Sequence, residues 1–428
     1  MIDMADLPFP RGVRDLMPNE AIFKNEMLKK AEYILQRFGF TTIDTPSFES
    51  LKLLYAKNAI GEDTKLIYEL KNEDLGLRYD NTVSLARYLS MHKELPLPFK
   101  RYYIGKVWRR DEPQHLRYRE FTQIDADILG GRETQADAEI IALAMTLLGE
   151  LGIECTIKVS DRRIIDMVLA KLGLGADKHM EAMRAIDKLE KIGAEEVAKL
   201  LAGIGMEQDN IDALSAFIGA KGSNSDKLEH AAGLIGDKVL PGKLQALLDT
   251  LESYDLKGSI EVDFSLMRGF DYYTGTVFEV KIEGEKNSLG GGGRYDKLIG
   301  LYSGKDVPAV GFAMGVDRIL EFMGMSASNQ MTYAKVFVAV VNESNHAYAV
   351  KVANALRKAG IPTDLNTAEK NLSNQLKYAS AMKIPFVAIL GDSEEKQSKV
   401  KLRNLESGEE QELDIKDAAN SIKRSIHG

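Results

Sequence analysis

Basic side chains gather in one short stretch of the chain, and a second arginine-containing segment follows much later. Between Lys100 and Arg119 there are seven basic side chains and only two acidic ones. The later segment reads Arg268-Gly-Phe-Asp-Tyr-Tyr-Thr-Gly. Both segments have the pattern of strands, and a guanidinium buried without an anionic partner is very costly. Arg109 and Arg268 are therefore predicted to face a phosphate group.

Aromatic side chains lie among the basic ones and bear on the kind of ligand. They are Tyr102, Tyr103, Trp108, Tyr118 and Phe121. Aromatic rings offer faces on which nucleotide bases stack. The net charge of −8 argues against indiscriminate nucleic-acid binding, although a local basic patch can still attract a specific polyanion. The alternative is that the cluster is a solvated face with incidental salt bridges.

The composition indicates a multidomain protein of the reducing cytoplasm. A chain of 428 residues is too long for one hydrophobic core, so about three domains are expected. The single cysteine, Cys155, cannot form an internal disulfide and is predicted to be a core thiol rather than a nucleophile. No HExxH or CxxC motif occurs, so no metal site built by the protein is expected.

Neither membrane insertion nor secretion is expected. The longest apolar run, 140–148, is far shorter than the ~20 residues that a bilayer requires. The N-terminus is acidic and has no basic region typical of a secretory signal. No GxxxxGK[ST] sequence occurs, so an ATP site would not be a Walker loop.

Hydrophobic periodicity predicts a mixed core that would hold the basic and aromatic residues in place. Strands are expected at 40–44, 69–77, 99–107, 121–129, 154–159, 260–266, 276–282 and 310–314. Helices are expected at 20–38, 134–151 and 316–322. The strands 99–107 and 121–129 are predicted to form an antiparallel hairpin. The run Gly290–Gly293 is predicted to be a tight turn, or a place where backbone approaches a ligand closely.

Two further regions have patterns of their own. Residues 161–254 show no strand pattern and predict helices at 164–172, 180–192, 195–204, 211–218, 225–235 and 243–251. After a linker near residue 325, strands at 336–341, 363–365 and 386–390 alternate with helices at 346–358 and 372–381. Such alternation is typical of a small parallel α/β domain. A polar hairpin, 399–405 and 410–415, is expected to add antiparallel edge strands.

Several stretches resemble the motifs of class II aminoacyl-tRNA synthetases. Residues 101–123 are similar to motif 2, residues 311–320 to motif 3 and residues 38–46 to motif 1. Residues 266–279 and 292–298 are similar to the two signature segments of histidyl-tRNA synthetases. Motifs 2 and 3 indicate only the class, whereas the segment that begins at Arg268 indicates the family. The resemblance spans essentially the whole chain.

The resemblance implies an α+β fold. It has three parts. The first is a class II catalytic core, in which helices flank an antiparallel sheet. The other two are a helical insertion domain and a C-terminal α/β anticodon-binding domain. The implied bounds are 1–160 and 255–325 for the two parts of the core, 161–254 for the insertion and 331–428 for the last domain. A homodimer is also implied, with Pro46 and the preceding helix at a two-fold interface.

The implied reaction joins L-histidine to ATP as histidyl-adenylate and then transfers the histidine to the 3′ end of tRNA(His). Negative charge builds at the α-phosphorus, where preorganised guanidinium groups stabilise it. By resemblance the catalytic residues are Arg109, which bridges the α-phosphate and the histidine carboxylate, and Arg268 on the opposite side. ATP is expected as its Mg²⁺ complex, with the ligands of Mg²⁺ left open.

The resemblance assigns the rest of ATP to four more residues. Arg318 would lie flat on adenine, with Phe121 on the opposite face, and would reach the γ-phosphate. Arg117 and Arg119 would bind the β- and γ-phosphates. The alternative for Arg318 is a surface salt bridge with Glu321, three residues further along the helix.

The histidine site is assigned in the same way. Asp127 would accept a hydrogen bond from one imidazole N–H and Tyr273 would bond the other nitrogen, which disfavours apolar isosteres. Asp80 would bind the α-amino group. Core packing is the alternative for the tyrosines. The full predicted set is Asp80, Asn81, Thr82, Arg109, Gln123, Asp127, Arg268, Tyr272, Tyr273 and Tyr295.

Two positions depart from many bacterial members of the family. Those members read Arg-Pro-Glu-Gly-Thr where this chain has Arg78-Tyr-Asp-Asn-Thr, and they carry Glu in place of Asp127. The Tyr-Asp form resembles archaeal and eukaryotic enzymes, although Asn81 is not the apolar residue expected there.

The implied tRNA contacts fall in three regions. Arg110, Gln114 and His115 are the candidates for contacting the extra 5′ nucleotide of tRNA(His), and the helical insertion would clamp the acceptor stem. Basic residues of the last domain would bind the anticodon, namely Arg357, Lys358, Lys370, Lys377 and Lys383.

The alternative function is a non-catalytic paralogue that serves as a regulatory subunit in histidine biosynthesis. Such paralogues tend to lack the anticodon-binding domain and the signature residues.

Overall fold

The computed structural model describes residues 9–56, 65–256, 258–267, 272–285, 288–325, 329–368 and 370–427. These residues fall into two compact units. The catalytic unit takes the described residues of Met1–Arg14 and Leu28–Met323, and the C-terminal unit takes those of Asp15–Met27 and Gly324–Gly428. No helix within the described ranges combines the length and the apolar character that crossing a membrane requires.

The catalytic unit is built on an eight-stranded sheet, ordered β1-β5-β6-β11-β10-β9-β7-β8. Its interior pairs are antiparallel, and only the edge pairs β1–β5 and β7–β8 are parallel. The strands are β1 (Thr41–Thr42), β5 (Phe99–Trp108), β6 (Glu120–Leu129), β7 (Thr156–Asp161), β8 (Ser259–Val262), β9 (Thr276–Lys281), β10 (Gly290–Arg294) and β11 (Ala309–Gly315).

A small three-stranded sheet and several helices complete the core of this unit. The sheet consists of β2 (Phe48–Ser50), β3 (Tyr68–Glu69) and β4 (Leu75–Leu77). The helices are α2 (Leu51–Leu54), α3 (Asn81–Met91), α4 (Glu133–Glu150), α12 (Gly300–Ser303) and α13 (Val316–Phe322). Helix α1 (Pro18–Arg37) belongs to this unit only from Leu28 onward, and its part up to Met27 is assigned to the C-terminal unit. The apolar run 140–148 belongs to α4, most of which is buried, and this explains its lack of charged residues.

Between β7 and β8 the described chain is helical. The helices are α5 (Arg162–Lys171), α6 (His179–Ile186), α7 (Leu189–Ile192), α8 (Ala194–Gly203), α9 (Gln208–Ile218), α10 (Asn224–Ile235) and α11 (Val239–Glu252). They belong to the catalytic unit, where α11 packs on α4 and α10 packs on β8. Lys227 on α10 anchors this packing, because its buried ammonium donates to Val262 O over 2.8 Å.

The C-terminal unit has a five-stranded sheet in the order β13-β12-β14-β15-β16. The first three strands are parallel and the last two antiparallel, as the sequence predicts. The strands are β12 (Val336–Val340), β13 (Thr363–Leu365), β14 (Phe386–Leu390), β15 (Lys399–Asn404) and β16 (Glu410–Asp414). The helices are α14 (His346–Lys358), α15 (Leu372–Ala381), α16 (Asp392–Gln397) and α17 (Ile415–His427). The mixed α+β fold is therefore confirmed.

Three local predictions were wrong. The expected strand 69–77 is a hairpin of β3 and β4, because the polar run Lys71–Asp74 forms a turn with Asn72 at φ 66°. The expected helix 180–192 is interrupted after Ile186, where the amide of Lys188 bonds back only three residues, to Ala185 O. The expected turn at Gly290–Gly293 is instead the strand β10, in the middle of the sheet.

Candidate active site

A cavity of about 240 Å³ opens on the catalytic sheet, above β6, β10 and β11. Most of the residues predicted from the sequence to bind a ligand line this one cavity. They are Asp80, Thr82, Arg109, Arg117, Phe121, Gln123, Asp127, Tyr272, Tyr273, Tyr295 and Arg318. The cavity has an acidic end, formed around β6 and α3, and an arginine end, formed by the loop after β5 and by α13.

The alternation of β6 builds the acidic end. Gln123, Asp125 and Asp127 are two residues apart, so their side chains share one face of the strand. All three are buried. On the neighbouring strand β11, Gly311 lies opposite Asp127, and a Cβ at Gly311 would collide with the Asp127 carboxylate. The glycine therefore leaves room for a carboxylate on the sheet surface.

Asp127 has two fixed partners. The hydroxyl of Tyr295 donates to its Oδ1, and Arg101 Nη2 lies 2.7 Å from its Oδ2. Arg101 faces Asp127 in the register between β5 and β6, and both are almost completely buried. Burial raises the pKa of Asp127, and the charge of Arg101 opposes that rise.

The acidic end keeps unused hydrogen-bonding capacity. Gln123 Oε1 has no donor among the described residues. Buried acceptors without donors are costly. Since Gln123 lines the cavity, this oxygen is suited to a ligand that brings an N–H group.

The N-terminus of α3 supplies the other carboxylate. Asp80 caps this helix and accepts from the amide of Thr82 over 2.6 Å. Asn81 is placed differently from the other predicted residues, because it does not line the cavity and its Nδ2 donates to Asp125 Oδ2. Burial raises the pKa of Asp125 to about 7, against the opposing charge of Arg101. The Asn81–Asp125 contact ties the helix start to β6.

Three buried tyrosine rings close the acidic end. The ring centres of Tyr272 and Tyr273 are 4.9 Å apart, and those of Tyr272 and Tyr295 are 5.8 Å apart. A Cβ on Gly293 would lie only 2.8 Å from Tyr273 Cδ1, so the glycine gives the Tyr273 ring its place. The rings give this end rigid apolar walls beside its polar atoms.

Arg109 stands where the two ends meet. Its Nε donates to Tyr79 O over 3.0 Å, which fixes the guanidinium against the backbone just before Asp80. Its Nη2 lies 4.0 Å from Asp80 Oδ2. The guanidinium also lies 5.3 Å from the centre of the Phe121 ring. Arg109 is therefore held between the carboxylate of one end and the aromatic face of the other.

The arginine end gathers positive charge. Arg117 and Arg318 both line it, and Arg318 Nη1 donates to Ser288 O. Burial lowers the pKa of Arg318, and the nearby charge of Arg117 lowers it further. Arg119 does not line the cavity, and its Nε donates to Asp111 O over 2.9 Å. Two guanidinium groups in one partly enclosed space are suited to a polyanion.

The remaining predicted residues lie elsewhere. Arg268 lies outside the described residues. Arg110, Gln114 and His115 are exposed on the loop between β5 and β6, where Gln114 and Arg117 exchange backbone hydrogen bonds across a tight turn. The Arg110 guanidinium lies 6.0 Å from the Tyr68 ring centre.

Sequence reasoning missed three residues that shape the cavity: Arg101, Asp125 and Asp317. Arg101 and Asp125 hold Asp127 and Asn81, and Asp317 lines the arginine end. The two-residue spacing of Gln123, Asp125 and Asp127 was a usable signal for Asp125. The cavity can thus bind a small ligand with N–H groups at one end and a phosphate-rich ligand at the other, with Arg109 between them.

Comparison with known proteins gives consistent matches over the whole chain. A family model described as "Histidyl-tRNA synthetase" matches residues 12–319, and one described as "Anticodon binding domain" matches residues 335–425. The histidine–tRNA ligase of Korarchaeum cryptofilum is 39% identical over 405 residues, which are 92% of this chain and 93% of the relative.

Solved structures share the fold. A histidyl-tRNA synthetase from Nostoc superposes with a TM-score of 0.86 at 27% identity, covering 98% of this chain and 99% of that one. A Bacillus halodurans protein, described as an ATP phosphoribosyltransferase regulatory subunit/histidyl-tRNA synthetase, has a TM-score of 0.75. It is 21% identical, with 91% and 99% of the two chains covered, and at that identity it shares the fold alone.

Proposed function

The chain belongs to the histidyl-tRNA synthetase family, and from this premise we propose that its cavity activates histidine with the side chains in the roles given below. The enzyme is a class II aminoacyl-tRNA synthetase, a ligase that joins histidine to tRNA(His) at the expense of ATP. The observation that carries the proposed roles is the single cavity with an acidic and an arginine end that meet at Arg109.

The acidic end binds histidine. Asp80 receives the α-ammonium group, together with Thr82 and Gln123, and Asp127 accepts from one imidazole N–H. Tyr273 bonds the other imidazole nitrogen. The donor-free oxygen of Gln123 supports this assignment, because the ligand would supply the N–H group that it lacks. Asn81 acts on histidine only indirectly, through its contact with Asp125.

The arginine end binds ATP as its Mg²⁺ complex. A carboxylate oxygen of histidine attacks the α-phosphorus and forms an oxygen–phosphorus bond. The bond from the α-phosphorus to the oxygen that bridges the α- and β-phosphates breaks, and pyrophosphate leaves with its electrons. Arg109 neutralises charge on the α-phosphate, and Arg268 is proposed to do so from the other side. Arg318 and Phe121 hold adenine and Arg117 holds the outer phosphates, while Arg119, whose side chain lies outside the cavity, would have to leave Asp111 O to join it.

The metal is assigned to the substrate rather than to the protein. In the part of the chain that the structure describes, no group of three or more His, Cys, Asp or Glu side chains is arranged to hold a metal ion. Phosphate oxygens and water are the usual ligands of Mg²⁺ in such reactions. The chain's own contribution to charge stabilisation would therefore come from its guanidinium groups.

Transfer to tRNA involves the rest of the chain. Arg110, Gln114 and His115 lie on an exposed loop next to the cavity and would contact the acceptor end. Residues 161–254 would clamp the acceptor stem, and residues 331–428 would bind the anticodon, in agreement with the family match at 335–425. We place the enzyme in the cytoplasm, where its tRNA substrate is used.

A homodimer is proposed from exposed apolar side chains near β2, α3 and α12. Phe48 on β2 and Met91 on α3 are 51% and 66% exposed, and Leu301 on α12 is 49% exposed. Helices α12 and α3 are in contact, so Met91 and Leu301 lie on neighbouring elements. Apolar groups collected in this way are typical of a surface covered by a partner.

The alternative of a regulatory subunit has no better support than the ligase. Such paralogues tend to lack the anticodon-binding domain, and here that domain is present and matches its family model. Arg109, Tyr273 and Arg318 are also present and line the cavity.

Exchange of pyrophosphate into ATP tests the function directly. We expect the full-length protein to catalyse this exchange with histidine and with none of the other nineteen amino acids. Charging of tRNA(His) should then require histidine, ATP and the tRNA together. Absence of histidine-dependent exchange, with folded protein confirmed by circular dichroism, would refute the ligase and favour the regulatory subunit.

A further inference from the structure

A short N-terminal strap, Gly12–Arg14, contacts both stretches that carry the ATP-binding arginines. The amide of Arg119 donates to Gly12 O over 2.6 Å. Arg14 Nη2 lies 2.6 Å from Asp317 Oδ1 on α13. The same guanidinium lies 4.6 Å from the centre of the Tyr118 ring. One segment thus bridges the loop after β5 and the first turn of α13.

The strap lies tightly against the loop because residue 12 is glycine. Gly12 has φ +81°, a conformation that other residues rarely adopt. A Cβ there would lie 2.8 Å from Arg119 Cγ and 2.9 Å from Pro113 Cγ. The close approach and the backbone bond to Arg119 therefore both depend on the absence of a side chain.

Arg14 sits directly behind the wall of the cavity. Tyr118 and Asp317, its two partners, both line the arginine end. Tyr118 lies between Arg117 and Arg119 in sequence, and Asp317 immediately precedes Arg318. The Arg14 side chain is 26% exposed and that of Asp317 is 11% exposed, so the pair is shielded well enough to be stronger than an ordinary surface salt bridge.

We propose that the strap is a positioning element for ATP and that Arg14 is its central residue. By joining Asp317 to Tyr118, Arg14 sets the separation between the loop arginines and Arg318 before ATP arrives. A preorganised set of charges binds a triphosphate with less ordering cost than a mobile set. This inference rests on the proposed function and adds a residue that does not itself line the cavity.

Substitution of Arg14 by methionine tests the idea, because methionine keeps an unbranched side chain, although a shorter one, and removes the charge. We expect the KM for ATP in the exchange reaction to rise about tenfold, which corresponds to about 1.4 kcal/mol. The KM for histidine and the value of kcat should stay within about twofold of wild type, because the acidic end is untouched. Arg14→Lys should recover part of the loss, since it keeps the charge opposite Asp317.

Two further variants separate positioning from general damage. Arg11→Met makes the same chemical change at an exposed neighbour and should leave both KM values unaltered. Gly12→Ala disturbs the strap without touching a charge and should raise the KM for ATP alone. The proposal is overturned if Arg14→Met behaves like Arg11→Met. It is equally overturned if Arg14→Met raises the KM values for ATP and histidine together.

A failure of the strap can be told apart from a failure of the function. If wild type shows no histidine-dependent exchange, the proposed function fails. ATP binding without histidine, measured by calorimetry on wild type, Arg14→Met and Arg11→Met, then still judges the strap. Weaker ATP binding by Arg14→Met alone supports the strap, and equal binding by all three rejects it.

Discussion

The two ends of the cavity are built by different means. At the acidic end Asp80, Asp125 and Asp127 are at most 3% exposed, and they are fixed by a helix cap and by the register of a central strand. At the arginine end the side chain of Arg117 is 48% exposed and is paired with Asp111 on the same loop, and Arg119, just outside the cavity, is 28% exposed. On the proposed assignment, histidine would meet side chains fixed by regular secondary structure, and ATP would meet side chains held by a loop.

The difference in charge between the two ends would set the orientation of bound histidine. Three buried carboxylates, those of Asp80, Asp125 and Asp127, lie at one end, where Arg101 faces Asp127, whereas the other end is lined by Arg117 and Arg318. Histidine would therefore enter with its ammonium and imidazole toward the acids and its carboxylate toward Arg109. This orientation presents the attacking carboxylate to the α-phosphate. The comparison predicts that a substitution at one end changes the KM for one substrate and leaves the KM for the other unaltered.

The largest effect is expected where the ends meet. Arg109→Ala should lower the rate of histidine-dependent exchange about a thousandfold, because one guanidinium that stabilises the transition state is lost. The neighbouring Arg110 is the matched control. Arg110→Ala should leave exchange unaltered, because exchange needs no tRNA, and should slow tRNA charging. Similar exchange rates for the two variants would show that Arg109 does not serve the reaction centre.

A more selective effect is expected at the acidic end. Asp127→Asn keeps the shape of the side chain but removes the charge that accepts from imidazole, so the KM for histidine should rise about a hundredfold. The KM for ATP should change little. Asp125→Asn, on the same face of β6 but outside the cavity, is the matched control and should have a much smaller effect on histidine. An equal rise in both KM values would break the distinction between the ends.

Sequence reasoning recovered the acidic end well because its order is local and periodic. Asp80 and Thr82 belong to one helix start, and Gln123 and Asp127 follow the alternation of one strand. Asp125 lies between them and was missed although its spacing was a usable signal, and the sequence does not show that Asn81, from another element, pairs with it. Asn81, the partner of Asp125, was accordingly expected to contact histidine.

The arginine end was recovered less completely because its order depends on long-range contacts. The run Gly290–Gly293 was expected to be a turn, since glycines usually mark one. The run is instead a strand in which the glycines are needed because the neighbouring strand β11 lies very close. A Cβ at Gly290 would lie only 2.8 Å from Met314 Cα. Arg14 and Asp317 are 303 residues apart, and nothing in the local pattern of either predicts their contact.

The smallest effect concerns stability and tests whether the buried carboxyl group of Asp125, at the acidic end, is protonated in the folded protein. The pKa of Asp125 is raised from 3.8 to about 7, so between these values the folded protein holds a proton that the unfolded chain has released. The free energy of unfolding should therefore fall as the pH rises through this window.

Asp125→Asn lacks this loss and keeps an oxygen for Asn81, so its melting temperature relative to wild type should increase from pH 5 to pH 8. Asp209→Asn, an exposed change on α9, should show no such trend. A difference in melting temperature between Asp125→Asn and wild type that stays constant with pH would mean that Asp125 is ionised throughout, and that its burial is offset by Arg101 and Asn81.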